Sequence, residues 1–361
     1  MRLSLTRCLV ASATLAFATS ACSGGGATPT SVATPAGSQP VSSSSAAPGS
    51  NEAQGLDAIC AAGASEGSLQ YWAQLEATNF EKIKSAFESA QPGITVELLP
   101  IEASESTQRI ITESGAGRNT ADVTVGTLAD LQPLQERDLL DTSVDWPAAG
   151  VAENLVTPEN SVRVYRVPLG LVFNTGATTP DAIPDTWDAV IDPKWDGKFI
   201  TDPRGNVEPY FALAWGKERT LEYVRKASEL HPILVEGGTA GMLAVAAGQA
   251  PFTLYGRADS NLEQRAKGAP IDIKYLDIIP TTDFYNAVVV GAPHPNAAAC
   301  FVGWLASPDG AKVYSEVEFK TNDDLPPGAP QGAEVVFIKN ADDAALFNAV
   351  ATETARIYTG G

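Results

Sequence analysis

The sequence predicts an α/β protein built on a parallel sheet with helices on both faces, long enough to divide into two lobes. Between residues 68 and 134, short apolar runs alternate with segments whose apolar residues recur every three or four positions. Strand, helix, strand, helix, strand is an order typical of a parallel sheet that is covered on both sides. The folded part, residues 56–361, is also near the length at which one hydrophobic core splits in two, roughly 250–300 residues.

The first elements follow from the spacing of apolar residues. Residues 68–73 form an apolar run that predicts a buried strand, and Phe80, Ile83 and Phe87 share one face of a helix over 78–90. Pro92 and Gly93 are expected to end that helix. The pattern then predicts strands over 94–101 and 122–125, a helix over 107–113, and a helix through Leu128, Leu131 and Leu134.

From residue 162 the pattern changes to a long extended run followed by turns rich in proline. A strand is expected over 164–174, although Pro168 and Gly170 lie within it. The remaining expected strands are 198–201, 251–255, 271–279 and 287–291, and the remaining expected helices fall within 210–215, 221–230, 240–248, 296–305, 309–317 and 342–358. No internal repeat is visible.

The start of the chain has the order of a secretory signal. Arg2 and Arg7 precede an apolar stretch over 9–18, and three small residues then precede Cys22. About ten apolar residues are too few for a membrane-spanning helix, which needs about 20. The start resembles a bacterial lipoprotein signal, with residues 1–21 removed and Cys22 lipidated. The alternative is a plain secreted protein cut near Ala21.

Residues 22–55 predict a flexible linker. They are mostly Ser, Ala, Gly, Thr and Pro, with Glu52 as the one charged residue. Such a segment cannot bury enough apolar surface to offset the entropy of ordering it. A flexible chain of this length spans about 30 Å, which would hold a soluble body close to a membrane.

The acidic charge of the chain argues against two classes of partner. The net charge is −19, whereas nucleic-acid binding needs Lys and Arg to displace counterions. Anionic lipid head groups would repel the same surface, so contact with the membrane is expected through the lipid on Cys22. No nucleic-acid partner is expected.

The four cysteines separate by role. Cys8 would leave with the signal and Cys22 would carry the lipid, which leaves Cys60 and Cys300. Two cysteines in an oxidising compartment predict a disulfide. Two buried free thiols are the alternative.

No common catalytic motif is present. The sequence has no Gly-x-Ser-x-Gly, Walker or His-Glu-x-x-His motif. Its two histidines, His231 and His294, adjoin prolines and are expected in loops. The chain is therefore not expected to be an enzyme, and no cofactor or metal is expected. A secreted hydrolase that uses two of the 43 acidic residues stays open as an alternative.

Six segments resemble bacterial extracellular solute-binding proteins of ABC importers. They are EGSLQYWAQLEATNFEKIKSAFESAQPGITVELL (66–99), DVTVGTLADLQPLQERDLLD (122–141), VPLGLVFNTG (167–176), IPDTWDAVIDPKWDGKFITDPRG (183–205), AVAAGQAPFTLY (244–255) and WLASPDGAKVYSE (304–316). The fourth is most similar to the subgroup that includes ferric-ion, thiamine and organic-phosphate binders. The resemblance runs in order from about residue 66 to 330.

The resemblance implies a two-lobed, type II periplasmic-binding-protein-like fold with a ligand cleft between the lobes. Residues 56–167 and 285–361 would form the first lobe, and residues 168–284 the hinge and second lobe. Hinge strands would lie near 167–174 and 276–285. The implied protein is an extracytoplasmic monomer, lipid-anchored at the outer face of the membrane, that delivers a small molecule to an ABC permease.

The candidate ligand residues lie mainly where strands lead into helices, because ligands of parallel α/β lobes bind beyond the carboxyl ends of strands. Free N–H groups at helix starts favour anions there. The expected ligand-binding residues are Gln74, Glu76, Ser104, Ser106, Thr127, Asn174, Arg204, Asn206, Thr239, Tyr255, Arg257 and Tyr285. For Ser104, Ser106, Thr127 and Thr239, helix capping is the alternative role.

The two arginines favour a small organic anion as the ligand. A guanidinium fork suits a carboxylate or phosphate, although an ordinary ion pair is the alternative for each of Arg204 and Arg257. Ferric ion is a second candidate ligand. Relatives that bind it use two adjacent tyrosines where this chain has Leu254, Tyr255 and Gly256. Glu76 or Glu105 would have to supply the missing oxygen.

Overall fold

The structure is a computed structural model of the chain and describes residues 55–360. The signal over 1–21, the lipidation site Cys22 and the linker up to residue 54 lie outside the described residues. Among the helices of the described part, none combines the length and the apolar character that a membrane crossing requires.

Twelve α-helices and ten strands make up the described part. The helices are α1 Leu56–Glu66, α2 Ala77–Ala90, α3 Ala103–Gly115, α4 Leu128–Gln135, α5 Trp187–Val190, α6 Glu208–Trp215, α7 Lys217–Glu229, α8 Gly238–Ala246, α9 Ala258–Ala266, α10 Pro295–Ala306, α11 Pro308–Glu318 and α12 Ala341–Thr359. The strands are β1 Ser68–Ala73, β2 Thr95–Pro100, β3 Val123–Gly126, β4 Val162–Asn174, β5 Phe199–Thr201, β6 Ile233–Leu234, β7 Phe252–Arg257, β8 Ile271–Lys274, β9 Ile278–Val288 and β10 Glu334–Val336.

The strands form one mixed sheet in the order β2-β1-β3-β9-β4-β7-β5-β6, with β10 beside β9 and β8 beside β4. Strands β1, β2 and β3 are parallel and make up what we call the first sheet half. Strands β5, β6 and β7 are also parallel and, with β8, make up the second sheet half. The long antiparallel strands β4 and β9 join the two halves, so the predicted α/β class is confirmed but the sheet is mixed and not wholly parallel.

Each sheet half has its own aromatic packing. In the first half, Phe301 lies edge-on against Tyr71 and Phe87. In the second half, Phe211 packs against Trp187 at 4.6 Å between ring centroids. Aromatic pairs in these geometries stabilise the core beyond the area that they bury.

Strand β9 differs from the prediction. The sequence favoured strands over 271–279 and 287–291, whereas the structure has a short β8 and one continuous β9 over Ile278–Val288. The middle of β9 is polar, so the sequence shows no apolar alternation there. These polar side chains form hydrogen bonds inside the protein. Thr281 donates to the carbonyl of Ile279, and Asp283 accepts from Arg166.

The predicted disulfide between Cys60 and Cys300 is present and joins α1 to α10. Hydrogen bonds hold the same two helices together. The carboxylate of Glu66 accepts from the backbone N–H groups of Asn296 and Ala297, at 3.2 and 2.8 Å. Because α10 begins there, Glu66 satisfies amides that have no partner within the helix.

The C-terminal helix α12 does not lie where it was expected. Residues 285–361 were assigned to the first lobe, but α12 packs against α6 and α7 of the second sheet half. Phe347 contacts the ring of Tyr210, and the Tyr358 hydroxyl donates to buried Glu208 at 2.7 Å. Residues 319–340, which we call the crossing segment, lead from α11 to this position.

Candidate functional site

The carboxyl ends of the parallel strands in the two sheet halves point toward each other. Gly126, at the end of β3, pairs with Tyr285 of β9, which in turn pairs with Arg163 of β4. Arg257, at the end of β7, pairs with Leu169 of β4. Because β3 and β7 both run toward the stretch of β4 between residues 163 and 169, the two edges face across a gap of roughly 20 Å along that strand.

On the first sheet half, three helix starts lie at this edge, and four predicted residues lie with them. Gln74 and Glu76 are exposed after β1, and Gln74 donates to Glu102 at the start of α3. Ser104 is exposed in the first turn of α3. Thr127 caps α4 by accepting from the Asp130 N–H at 3.3 Å. Helix starts present free N–H groups, so this edge suits negatively charged groups.

On the second sheet half, Asp202 organises the loop after β5. Its buried carboxylate accepts from Nε of Arg204 at 2.9 Å and from Nη2 at 2.6 Å. It also accepts from Asn206 and from the backbone N–H of Gly237, each at 2.9 Å. Burial alone would raise the pKa of Asp202, but these hydrogen bonds outweigh it and hold that pKa below its usual range.

Asp202 fixes Arg204 without covering it. The Arg204 side chain is 54% exposed, and Nε and Nη2 are the atoms that donate to Asp202. Within residues 55–360, its Nη1 makes no hydrogen bond and can donate to a further acceptor. Gly205 next to it has φ +71°, and α12 packs so closely that a Cβ there would lie 2.9 Å from Thr354.

Arg257 repeats this arrangement at the start of α9. Its Nε and Nη2 donate to Asp259 at 3.1 and 2.7 Å, which leaves Nη1 for another acceptor. Burial opposes the charge of Arg257, but Asp259 prevails and keeps its pKa above the usual value. Tyr255 is half-buried nearby, with its ring against Gly238 at the start of α8, and Thr239 is exposed in the same turn.

Tyr210 of α6 contacts β9, one of the two strands that join the sheet halves. Its hydroxyl lies 2.8 Å from the Thr282 hydroxyl. The pKa of Tyr210 is raised to about 12, mainly by burial and in small part by the negative charge of Asp283, while the hydrogen bond to Thr282 opposes the rise. A small cavity of about 180 Å³ adjoins this contact and is lined by residues of α4, β9 and α12, including Thr127, Asp283 and Phe347.

Three of the predicted residues are not presented at the facing edges. The Ser106 hydroxyl is buried against the Thr124 hydroxyl at 2.7 Å. Asn174 lies at the opposite edge of the second sheet half, where its amide bonds to the backbone of residues 176, 245 and 246. Tyr285 is buried in the packing between the sheet and helices α3 and α4. Neither Ser106 nor Thr239 caps its helix.

Sequence reasoning missed the carboxylates that accompany the arginines. Asp202 and Asp259 each stand two residues from their arginine, so the spacing Asp-x-Arg and Arg-x-Asp was the available signal. The same spacing recurs in Glu318 and Lys320, which pair at 2.9 Å with both side chains nearly buried. Glu318 also accepts from Asn79 of α2 at 2.9 Å, which ties this third pair to the first sheet half.

Metal ligands do not cluster at these edges. Across residues 55–360, no group of three or more His, Cys, Asp or Glu side chains is arranged to hold a metal ion. The carboxylates that do reach the edge of the second half, Asp202 and Asp259, accept from arginines instead.

The sequence matches one protein family over most of the folded part. Residues 71–312 match the family model described as bacterial extracellular solute-binding protein. Comparison with curated proteins gives no significant match.

Solved structures with the same fold include two iron-binding proteins and a sugar-phosphate-binding one. Iron-bound HitA from Pseudomonas aeruginosa is 17% identical, with a TM-score of 0.61 over 78% of this chain and 99% of that chain. Ferric iron-binding protein A of Mannheimia haemolytica, in an open conformation, is 14% identical, with a TM-score of 0.65 over 81% and 98%. AfuA from Actinobacillus pleuropneumoniae with bound fructose-6-phosphate is 18% identical, with a TM-score of 0.55 over 81% and 97%. These likenesses show the fold.

Proposed function

The chain belongs to the family of bacterial extracellular solute-binding proteins, the solute-capturing components of ABC importers, and we propose that it captures a small organic anion between two lobes. The first lobe is the first sheet half with α1–α4, α10 and α11. The second lobe is the second sheet half with α5–α9 and α12. The cleft lies between their facing carboxyl edges.

The observation that carries this proposal is that Arg204 and Arg257 each bind a carboxylate with only part of the guanidinium group. Arg204 and Arg257 are each held by one carboxylate through Nε and Nη2, so their Nη1 ends stay available at the same edge. A guanidinium that is fixed in place loses little entropy when it binds a carboxylate or phosphate. Tyr255 and the start of α8 add an aromatic face and free N–H groups.

Ferric ion fits these residues less well. HitA and the Mannheimia protein bind iron, so the fold accommodates it. In this chain, Tyr255 has no adjacent second tyrosine, and Tyr210 would have to lose a proton whose pKa is about 12. The carboxylates at the same edge, Asp202 and Asp259, are already engaged by Arg204 and Arg257.

The proposed mechanism is capture without chemistry. A ligand that touches both edges favours the closed arrangement by its differential affinity for it. The lobes then move as rigid bodies about β4 and β9, and the closed form docks on an ABC permease. We also propose that residues 1–21 are removed, that Cys22 carries a lipid, and that the protein is a monomer held at the outer face of the membrane by residues 22–55.

Ligand binding by the double variant Arg204→Ala, Arg257→Ala tests the proposal. The probes are a hexose phosphate, inorganic phosphate and ferric ion, each measured by thermal shift and calorimetry. Loss of two charge-assisted hydrogen bonds should weaken a phosphorylated or carboxylated ligand at least 100-fold, because each contributes about 1.5–3 kcal/mol.

The matched control removes two arginines from the outer surface of the same lobe. Arg219→Ala with Arg265→Ala makes the same change in charge, and each of these arginines is exposed and paired with a single aspartate. This variant should bind as the wild type does. Equal anion affinity in the wild type and the Arg204, Arg257 variant would refute the proposed pocket, and native mass spectrometry of the purified protein would identify the ligand that it carries.

A further inference from the structure

Two arginines of β4 share one buried carboxylate. The side chains of Arg163 and Arg166 are 5% and 3% exposed, and that of Asp283 is 2% exposed. Arg166 donates through Nε and Nη2 to Asp283 at 3.0 and 2.7 Å, while Nη1 of Arg163 lies 3.6 Å from the same carboxylate. The buried part of this cluster therefore has an excess of one positive charge.

The balancing charge comes from the crossing segment. Asp324 has a side chain that is 73% exposed, yet its Oδ1 lies 3.0 Å from Nη2 of Arg163 and 3.7 Å from Nη1 of Arg166. Asn322 beside it accepts from Nε of Arg163 at 2.9 Å. A single carboxylate at the surface thus bridges two guanidinium groups that lie beneath it.

The position of the Asp324 carboxylate is open to solvent. A surface groove of about 900 Å³ runs along residues 321–324 and is also lined by residues of α10, α11 and the loop over 149–155. Apart from the three residues of β10, the crossing segment has no helix or strand of its own. If residues 321–324 moved away from β4, three hydrogen bonds to their backbone carbonyls would break, from the N–H of Arg166, Nη2 of Arg163 and Nη1 of Arg166, together with the bond from Asn322 to the Arg163 carbonyl.

We propose that Arg163 and Arg166 form a binding site for a small oxyanion such as inorganic phosphate, in which the protein's own Asp324 carboxylate takes the anion's place. Nη2 of Arg163 and Nη1 of Arg166 lie closest to Asp324, and both can donate to a tetrahedral oxyanion, which offers more acceptor oxygens than one carboxylate. A buried cation without a partner is costly, so an external anion is favoured once Asp324 leaves. The site does not depend on Arg204 or Arg257: Arg166 stands three residues, roughly 10 Å, along β4 from the partner of Arg257.

The test uses Asp324→Ala in the full chain that already carries Arg204→Ala and Arg257→Ala, which weaken phosphate binding in the proposed cleft. Inorganic phosphate is titrated while thermal unfolding is followed, with sodium chloride at equal ionic strength as the reference. Removing the internal carboxylate should tighten phosphate binding at least tenfold. The matched control is Asp323→Ala, because Asp323 is exposed and accepts from Thr321 and not from the arginines.

Two results would overturn the proposal. One is equal phosphate stabilisation of the Asp324→Ala and Asp323→Ala proteins, which have the same net charge. The other is unchanged phosphate affinity when Arg163→Lys, which keeps the charge but loses the fork, is added to Asp324→Ala; at least a fivefold loss is expected. If Asp324→Ala does not fold, Asp324→Asn removes the charge while it keeps the size of the side chain, and the same comparisons apply.

Discussion

Removing the disulfide between Cys60 and Cys300 should lower the free energy of unfolding by about 5 kcal/mol. The two residues are separated by 240 positions in the sequence. In the chain-entropy model, a loop of that length lowers the entropy of the unfolded chain by about 18 cal/mol/K, or about 5.5 kcal/mol at 25 °C. The perturbation is the double variant Cys60→Ala, Cys300→Ala.

The folded state should change little in this variant. Glu66 still accepts from the N–H groups of Asn296 and Ala297, and α1 still packs on α10. The loss should therefore arise in the unfolded chain, which expands when the loop is opened. Urea unfolding followed by circular dichroism measures both effects, because a more expanded unfolded state gives a steeper dependence on urea.

Wild-type protein kept reduced throughout unfolding is the control, since it opens the same loop without removing the sulfur atoms. It should match the double variant apart from the small cavity left at two buried side chains. A loss below about 2 kcal/mol, with an unchanged urea dependence, would refute the argument from loop entropy.

Two further predictions concern the contacts of α12. Burial raises the pKa of Glu208, whose carboxylate accepts from Tyr358. Glu208 therefore contributes fully to the free energy of unfolding at low pH, and this contribution is lost as the pH rises above the usual glutamate range. Glu208→Gln should flatten this fall in unfolding scans between pH 4 and 8, and an unchanged slope would exclude Glu208 as its source. Gly205→Ala should destabilise the protein by about 2 kcal/mol or more, since it combines positive φ with the close contact to Thr354. Gly67→Ala, in the left-handed region at φ +83° with open space, should lose less, and equal losses would show that the Thr354 contact contributes nothing.

The sequence predicted the parts of the fold that depend on local pattern. Phe80, Ile83 and Phe87 are all buried on α2, as their spacing indicates. The position of α12 could not be predicted in this way, because it depends on contacts with residues far away in the chain. Tyr358 of α12 donates to Glu208, 150 residues earlier, and Phe347 packs against Tyr210.

The loops that form the candidate site could be predicted from the sequence, but the carboxylate partners of its arginines could not. The rule that ligands bind beyond the carboxyl ends of strands selected the loops of Thr127, Arg204 and Arg257, and the structure brings these to facing edges. The internal partners could not be found from spacing alone. Arg166 lies within an apolar strand, and its carboxylate, Asp283, stands 117 residues away on another strand.

The two ends of the described chain belong to different sheet halves. Helix α1 is fastened to the first half through Cys60 and Glu66, whereas α12 is packed on the second half through Tyr358. A fluorophore placed before α1 and another placed after α12 would therefore be attached to different sheet halves. Energy transfer between them would report the proposed lobe closure as an optical signal, so a ligand biosensor could be built on this chain without an internal insertion.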